Sequence, residues 1–362
     1  MRAHIVRTFH PIGQGAFYSE RINGFNFVYD CGTLSNKHGG KITVSQSFSK
    51  YEIIDMLAIS HFDEDHINLI PELRQSVTDI KLVILPLMSN QQKLFILSNY
   101  KNHTLYDILL DPESYFSTAK IVYVKPAEGR TNMDRHYNYS DLLEGSNIDI
   151  DSGAKIYIPQ NYTDWIFIPY NYDNAEKHYK IKNEFDRIKH EWGIDINDTD
   201  SIIEALKDKD KKNEIKKIYK GIGGTNDNSM LMYSGPIHND LYRLRDISPW
   251  HYWPYYYHSP YNRKAGCIYT GDATMNSDTL PWIDMIKCNF DVGTIQIPHH
   301  GSLNSFHEAL IENGPFHCVI SVGQTNQYNH PSNKVLVSIM LKGMLPFLVT
   351  ERPLTVLIEY IV

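Results

Sequence analysis

Short apolar runs alternate with polar stretches through the first third of the chain. Positions 4–9 and 25–29 alternate apolar and polar residues and are rich in β-branched or aromatic side chains, which predicts half-buried strands. The run MLAIS at 56–60 is continuously apolar, as expected of a strand covered on both faces, and KLVILPL at 81–87 and IVYVK at 121–125 read the same way. The segment 88–225 differs. It is rich in Asn, Tyr, Lys and Asp, and its pattern predicts helices at 179–192 and 201–220. Strand-and-turn patterning then returns, with strands expected at 229–233, 266–269, 294–297, 318–322 and 355–361 and helices at 277–287, 305–313 and 332–342. Strands alternating with helices predict an α/β layered fold whose chemistry sits in the loops at strand ends. No internal repeat is visible. The expectation is one domain over 1–362, with 88–225 a largely helical, polar insertion.

Composition narrows the class. Of the 362 residues, 42% are hydrophobic and 21% charged, the balance of a globular chain rather than a disordered one. Lys plus Arg number 35 against 42 Asp plus Glu, a net charge of -7, which excludes a globally basic nucleic-acid binder but not a local basic groove. Cys31, Cys267, Cys288 and Cys318 form no CxxC pair, so neither a disulfide scaffold nor a cysteine zinc ribbon is expected. Cys31 and Cys318 lie in apolar settings and are expected to be buried packing residues. The opening MRAHIVRTFHPIGQG lacks an apolar core, and no 18-residue apolar run occurs. We therefore expect neither a signal peptide nor a membrane span, and a reducing, cytoplasmic setting. The 17 histidines and 25 tyrosines direct the search to metal ligands and stacking surfaces.

The densest chemistry is Ser60-His61-Phe62-Asp63-Glu64-Asp65-His66, directly after the MLAIS strand and before an expected helix at 67–75. His61 and Asp63 are two apart, so extended backbone points both the same way. Asp65 and His66 can face a second ion as the chain turns. Imidazole and carboxylate together suit zinc, manganese or iron. Three later segments end apolar strands with residues of the same types: Thr270-Gly271-Asp272, Pro298-His299-His300-Gly301-Ser302, and Asn326 to His330 ahead of Pro331.

On these motifs the chain resembles the metallo-β-lactamase superfamily, and within it the hydrolase domain of the DNA-uptake protein ComEC and its stand-alone relatives. The HxDxDH form of the first motif matches His61, Asp63, Asp65 and His66. A GQG turn matches Gly13-Gln14-Gly15, a DxG turn Asp30-Cys31-Gly32, and an NxxS strand start Asn226 to Ser229. The TGD, PHHGS and NxxxHP motifs follow in order. The resemblance covers roughly 1–87 and 226–345. It departs in two places. His10-Pro11-Ile12 and Ala16 replace the acids that flank GQG, and the superfamily's third-motif histidine has no clear counterpart, since His103, His136, His178 and His190 lie in polar contexts.

The resemblance implies an αββα sandwich and two divalent ions, Zn²⁺ or Mn²⁺, bridged by Asp272 at a separation of about 3.5–4 Å. His61 and Asp63 would hold one ion. Asp65, His66 and one of His299 and His300 would hold the other, with the remaining histidine contacting substrate or orienting a ligand. Such ions lower the pKa of a shared water toward neutrality. Asp65, also counted with the catalytic residues, and His330 and Asn326, as leaving-group or phosphate contacts, would complete the catalytic set. Ser302 and Ser229 would hydrogen-bond substrate or ligands, or cap local backbone. Asp30 would hold a ligand imidazole from behind or stabilise its own turn. The implied activity is hydrolysis of DNA, single strands favoured. Alternatives are a cyclic-nucleotide phosphodiesterase, which the acidic net charge mildly favours, and a partner-binding subunit with little catalysis, using 88–225 as its docking segment. A β-lactam or thioester hydrolase is less expected because Asp63 stands where those enzymes keep a histidine, a harder donor set that raises the odds of manganese. The aromatic run 249–258 and the lysines of 201–220 suggest nucleobase stacking and phosphate attraction, set against an interface and a solvated face.

Overall fold

The computed structural model describes residues 4–100, 105–127, 134–159, 161, 163–172, 175–193, 199–221, 229–238, 242–248 and 264–362. Its strands form two large sheets. Across the first run Leu244–Ser248, Leu357–Ile361, Ile5–Phe9, Phe17–Ile22, Phe25–Cys31, Ile53–Ala58, Asp79–Pro86, Lys120–Val124 and Ile148–Ile150. Across the second run Pro346–Val349, His317–Ser321, Val292–Gln296, Gly266–Tyr269, Leu231–Pro236, Trp165–Tyr172, Lys155–Tyr157 and His136–Asn138, with Pro126–Ala127 paired to Trp165–Tyr172.

Strand periodicity of two sorts the apolar side chains into three cores. Leu82 and Ile84 face inward with Trp165, Phe167, Met232 and Tyr269, filling the space between the sheets. Val83 and Leu85, their alternates, pack outward under helices that contribute Val44, Leu73, Leu97, Leu206 and Ile215. On the far side, Ile166, Ile168, Ile268 and Ile320 meet Trp282, Ile283, Val335 and Ile339 of the helices Leu280–Asn289 and Asn333–Leu341. Three cores between four layers make an αββα sandwich, as expected. No helix among the described residues is long and apolar enough to cross a membrane.

The segment 88–225 departs from expectation. Helices occupy its ends, at Asn90–Asn99 and again at Ala175–Trp192, Thr199–Lys207 and Lys209–Gly221. Between them, however, 120–172 supplies strands to both sheets, and all eight residues of Trp165–Tyr172 are buried. The strand at Lys120–Val124 was expected, but the polar connections on either side masked the others. The strand Phe17–Ile22 (FYSERI) was also unexpected because its buried Ser19 and Glu20 break the apolar pattern. So was the helix Lys37–Ser47, which starts where the Asn36 side chain accepts from the Gly39 N–H. The helix expected at 305–313 is only a short 3-10 turn, Glu308–Ile311. The one expected at 67–75 divides into Glu64–Ile67 and Ile70–Ser76, with Pro71 at the start of the second. The run 249–258 and Asn226, Asp227 and Asn228 lie outside the described residues.

Buried charge joins the sheets. The Arg7 guanidinium donates to Glu20 Oε1 at 2.7 Å, to Glu359 Oε2 at 2.8 Å and to the Ala265 carbonyl at 2.9 Å. Glu20 also accepts from the Tyr269 and Ser234 hydroxyls, and Glu359 from Thr294. His317 Nδ1 lies 3.1 Å from Glu359.

Candidate metal centre

The strand Ile53–Ala58 delivers the chain into the turn at 60–66, and two glycines set where that turn lies. A β-carbon on Gly32 would fall 2.5 Å from the carbonyl carbon of Asp65. On Gly15, whose φ is +145°, it would fall 2.3 Å from the Gly32 oxygen and 2.7 Å from that of Asp65. The Ala16 N–H donates to the same Asp65 oxygen at 3.2 Å. The GQG and DxG turns thus form the bed on which the ligand turn rests.

Four buried side chains, Asp65, His66, Asp272 and His300, bring ligand atoms within 4.8 Å of one another. Asp272 lies at their centre and uses its two oxygens differently. Oδ1 is 3.2 Å from His66 Nε2 and 3.8 Å from His300 Nε2, while Oδ2 is 3.6 Å from His299 Nε2 and 4.0 Å from His61 Nε2. His300 Nε2 is also 3.3 Å from Asp65 Oδ2, and His61 Nε2 is 3.9 Å from Asp63 Oδ2. The PHH pair therefore divides: His300 joins Asp65 and His66, and His299 joins the His61 side. Among the described residues His136 and His190 are exposed and outside the cluster, and His103 is not described.

The groups behind the imidazoles determine which nitrogen faces inward. Asp30 Oδ2 takes the Nδ1–H of His66 at 2.8 Å and the Ser60 hydroxyl proton at 2.6 Å, and its Oδ1 takes the Ser60 N–H. With its proton committed to Asp30, Ser60 Oγ is an acceptor toward His61 Nδ1, 2.9 Å away. His300 Nδ1 must donate to the Ser321 carbonyl at 2.9 Å, because a carbonyl only accepts. In the neutral rings the Nε2 atoms of His61 and His66 then carry bare lone pairs, the state in which histidine ligates metals, while His300 Nε2 is hydrogen-bonded to Asp65 Oδ2 at 3.3 Å. The Nε2 atoms of His61 and His66 are buried and make no hydrogen bond. A buried polar atom left that way costs about 1–3 kcal/mol. A cation between nitrogen and carboxylate would satisfy both, so the donor set fits divalent metal.

The electrostatics agree. Burial would lower the pKa of His66, yet Asp272 and Asp30 raise it well above the usual value. Asp272 and Asp65 likewise raise that of His300 against burial. Burial would raise the Asp272 carboxyl, but His66, His299 and His300 hold it well below the usual range. His61, buried beside His66, drops to about 4. The pocket thus draws positive charge to the position where the Nε2 atoms and carboxylates converge.

Further residues support the cluster, and two of them, Gln296 and Tyr100, were not anticipated. Gln296 anchors the TGD turn, accepting from the Thr270 N–H at 2.7 Å and donating to the Gly271 carbonyl at 3.2 Å. Gly271 has φ +53°, and a β-carbon there would press within about 3 Å of the hydroxyls of Ser60 and Ser229. Ser229 accepts from the Asp272 N–H at 3.0 Å and lies 2.8 Å from His61 Nδ1, so it braces the two rather than facing outward. Tyr100 OH donates to the Phe62 carbonyl, and Lys212 Nζ to the Tyr100 carbonyl, linking the helices of 88–225 to the ligand turn. Of these, Ser60, Ser229, Thr270 and Gly271 stand in motifs; nothing local marks Gln296 or Tyr100.

No protein-family model matches the chain, and no curated protein matches it. Among solved structures, the metallo-beta-lactamase fold protein YhfI from Bacillus subtilis is similar over 96% of this chain and 97% of its own, at 7% identity and a TM-score of 0.41. The αββα reading stands on the chain's own three cores.

The remaining expected residues divide between buried and partly exposed positions. Ser302 is buried beyond His300. His330 packs against His299 with ring centroids 5.5 Å apart, and burial, aided by His299 and His300, lowers its pKa to about 4. Asn326 was expected to touch a leaving group, but its side chain is spent on its own loop. Its amide donates to the Gly323 and His330 carbonyls, and its oxygen accepts from the Tyr328 and His330 N–H groups. His10, where a flanking acid was expected, is buried between Ser19 and Ser47 and stacked on Phe17.

Proposed function

We propose that the chain is a metal-dependent phosphodiester hydrolase of the ComEC-like kind, with single-stranded DNA its favoured substrate. The observation that carries this reading is the division of Asp272, one oxygen toward His66 and His300 and the other toward His61 and His299. Asp272 would bridge two ions, with Asp65, His66 and His300 around one and His61, Asp63 and His299 around the other. Bound Zn²⁺ or Mn²⁺ supplies Lewis acidity at neutral pH. The protein's own residues do the rest. Asp30 and Ser60 hold two imidazoles in their ligating tautomer, Ser229 fixes Asp272 to His61, and His330 meets a phosphate oxygen at the open side, where Asp63 and His299 are the partly exposed members of the set.

The test is metal analysis of the purified protein, followed by incubation with labelled single- and double-stranded DNA, RNA and cyclic dinucleotides under Mn²⁺ or Zn²⁺. Close to two ions per chain and cleavage of single strands are expected. Cleavage of cyclic dinucleotides alone would move the substrate to small phosphodiesters. Bound metal with none of them cleaved would favour a partner-binding subunit.

A further inference from the structure

Three aromatic rings run in series from the metal centre to solvent. His299, whose Nε2 is 3.6 Å from Asp272, packs against His330 at 5.5 Å. Tyr328 lies nearly parallel to His330, at 19° and 5.9 Å, and is 60% exposed. Exposed tyrosines are common on loops, but this one is held. Asn326 ties both of its amide ends within 323–330, and the Ser332 N–H donates to the Gly301 carbonyl, so the loop is latched to the histidine turn. Gly301, at φ +80°, has no room for a β-carbon, which would sit 2.6 Å from the Pro331 side chain. The ring is therefore placed before any ligand arrives, and it reaches the cluster through His299, which is partly open to solvent. A preformed aromatic face beside a phosphate site suits a flat, unpaired base attached to that phosphate. A base inside a duplex has no free face to offer.

We infer that Tyr328, backed by His330, is the stacking platform that selects phosphodiesters bearing an unpaired nucleobase. The inference rests on the hydrolase reading and deepens it. Stacking is sequence-tolerant, so strands of any base should bind alike.

The experiment compares an oligothymidylate with the same strand made abasic, using Mn²⁺-loaded protein, Tyr328→Ala and Tyr328→Phe. Tyr328→Ala should raise KM for the base-carrying strand about tenfold with kcat little changed, and Tyr328→Phe should restore it. KM for the abasic strand should not move. Equal losses on both strands would overturn the platform and make Tyr328 a structural residue. If the wild type cuts neither strand, the anisotropy of the labelled strands is read instead. Tighter binding of the base-carrying strand that disappears in Tyr328→Ala keeps the platform while the hydrolase reading fails; no preference for bases overturns the platform itself. A cyclic dinucleotide as competitor separates the two sources of such a base: affinity lost in Tyr328→Ala for the dinucleotide alone, with the strand unchanged, would assign the platform to small phosphodiesters.

Discussion

Two buried clusters of charge lie in this sandwich, and they are built on opposite principles. Around Arg7, the guanidinium reaches both Glu20 and Glu359, and each carboxylate is further satisfied by hydroxyls from the opposite sheet. Around Asp272, imidazole nitrogens are aimed at carboxylate oxygens, yet two of them make no hydrogen bond. Both clusters bear the desolvation cost of buried charge. The first offsets it internally. The second leaves the inward nitrogens of His61 and His66 without a hydrogen bond, which is what a binding site for a cation requires. Between these two clusters the difference lies in the hydrogen bonding of the inward-facing charged groups, not in burial or charge.

The sharpest way to break the contrast is Asp272→Ala. It should abolish hydrolysis and lower bound metal, while near-UV circular dichroism and the metal-free unfolding midpoint stay close to the parent's. Arg7→Met should do the reverse. Removing one partner of a buried pair costs about 3–5 kcal/mol, read by urea unfolding, with the metal content of the folded fraction unchanged. Asp30→Asn probes the groups behind the ligands. It should reduce metal affinity about 10–100-fold, measured by competition with a chelator. Added Mn²⁺ or Zn²⁺ should raise the melting temperature of the parent and of Glu359→Gln but not of Asp272→Ala, because only a competent site gains stability by mass action.

The smallest effect is on pH dependence. Burial would raise the Glu359 carboxyl, but His317, Arg7 and Thr294 hold it at about 2, below its usual value of 4.5. A depressed carboxylate stabilises the fold fully above its unfolded pKa, and that contribution fades as pH falls from about 4.5 toward 2. Urea midpoints should decline through that window in the parent and decline less in Glu359→Gln.

What the sequence reveals follows from where the information sits. The ligand turns are legible because TGD, PHHGS and the 60–66 turn each gather several chemical residues at the end of a continuous apolar strand. The division of His299 from His300 was not, since it depends on Asp272 and Asp65 arriving from other strands. The strands Phe17–Ile22 and Trp165–Tyr172 were hidden for a related reason. Glu20 looks solvent-exposed until Arg7 and Tyr269 are placed against it, and the core strand at 165–172 is embedded in a polar segment. Asn326 misled because its residue type is the same whether it binds substrate or closes its own loop.

The histidine turn has a consequence for what can be substituted there. His299, His300 and Gly301 have φ values of 49°, 55° and 80°, three consecutive left-handed residues. Side chains branched at the β-carbon are poorly accommodated in that conformation, whereas asparagine and aspartate enter it more readily than most. Swapping the candidate ligands at 299 or 300 is thus screened twice, by the backbone before any coordination chemistry. Aspartate or asparagine can be tried at these positions in search of a different metal preference; valine, isoleucine and threonine would report only on folding.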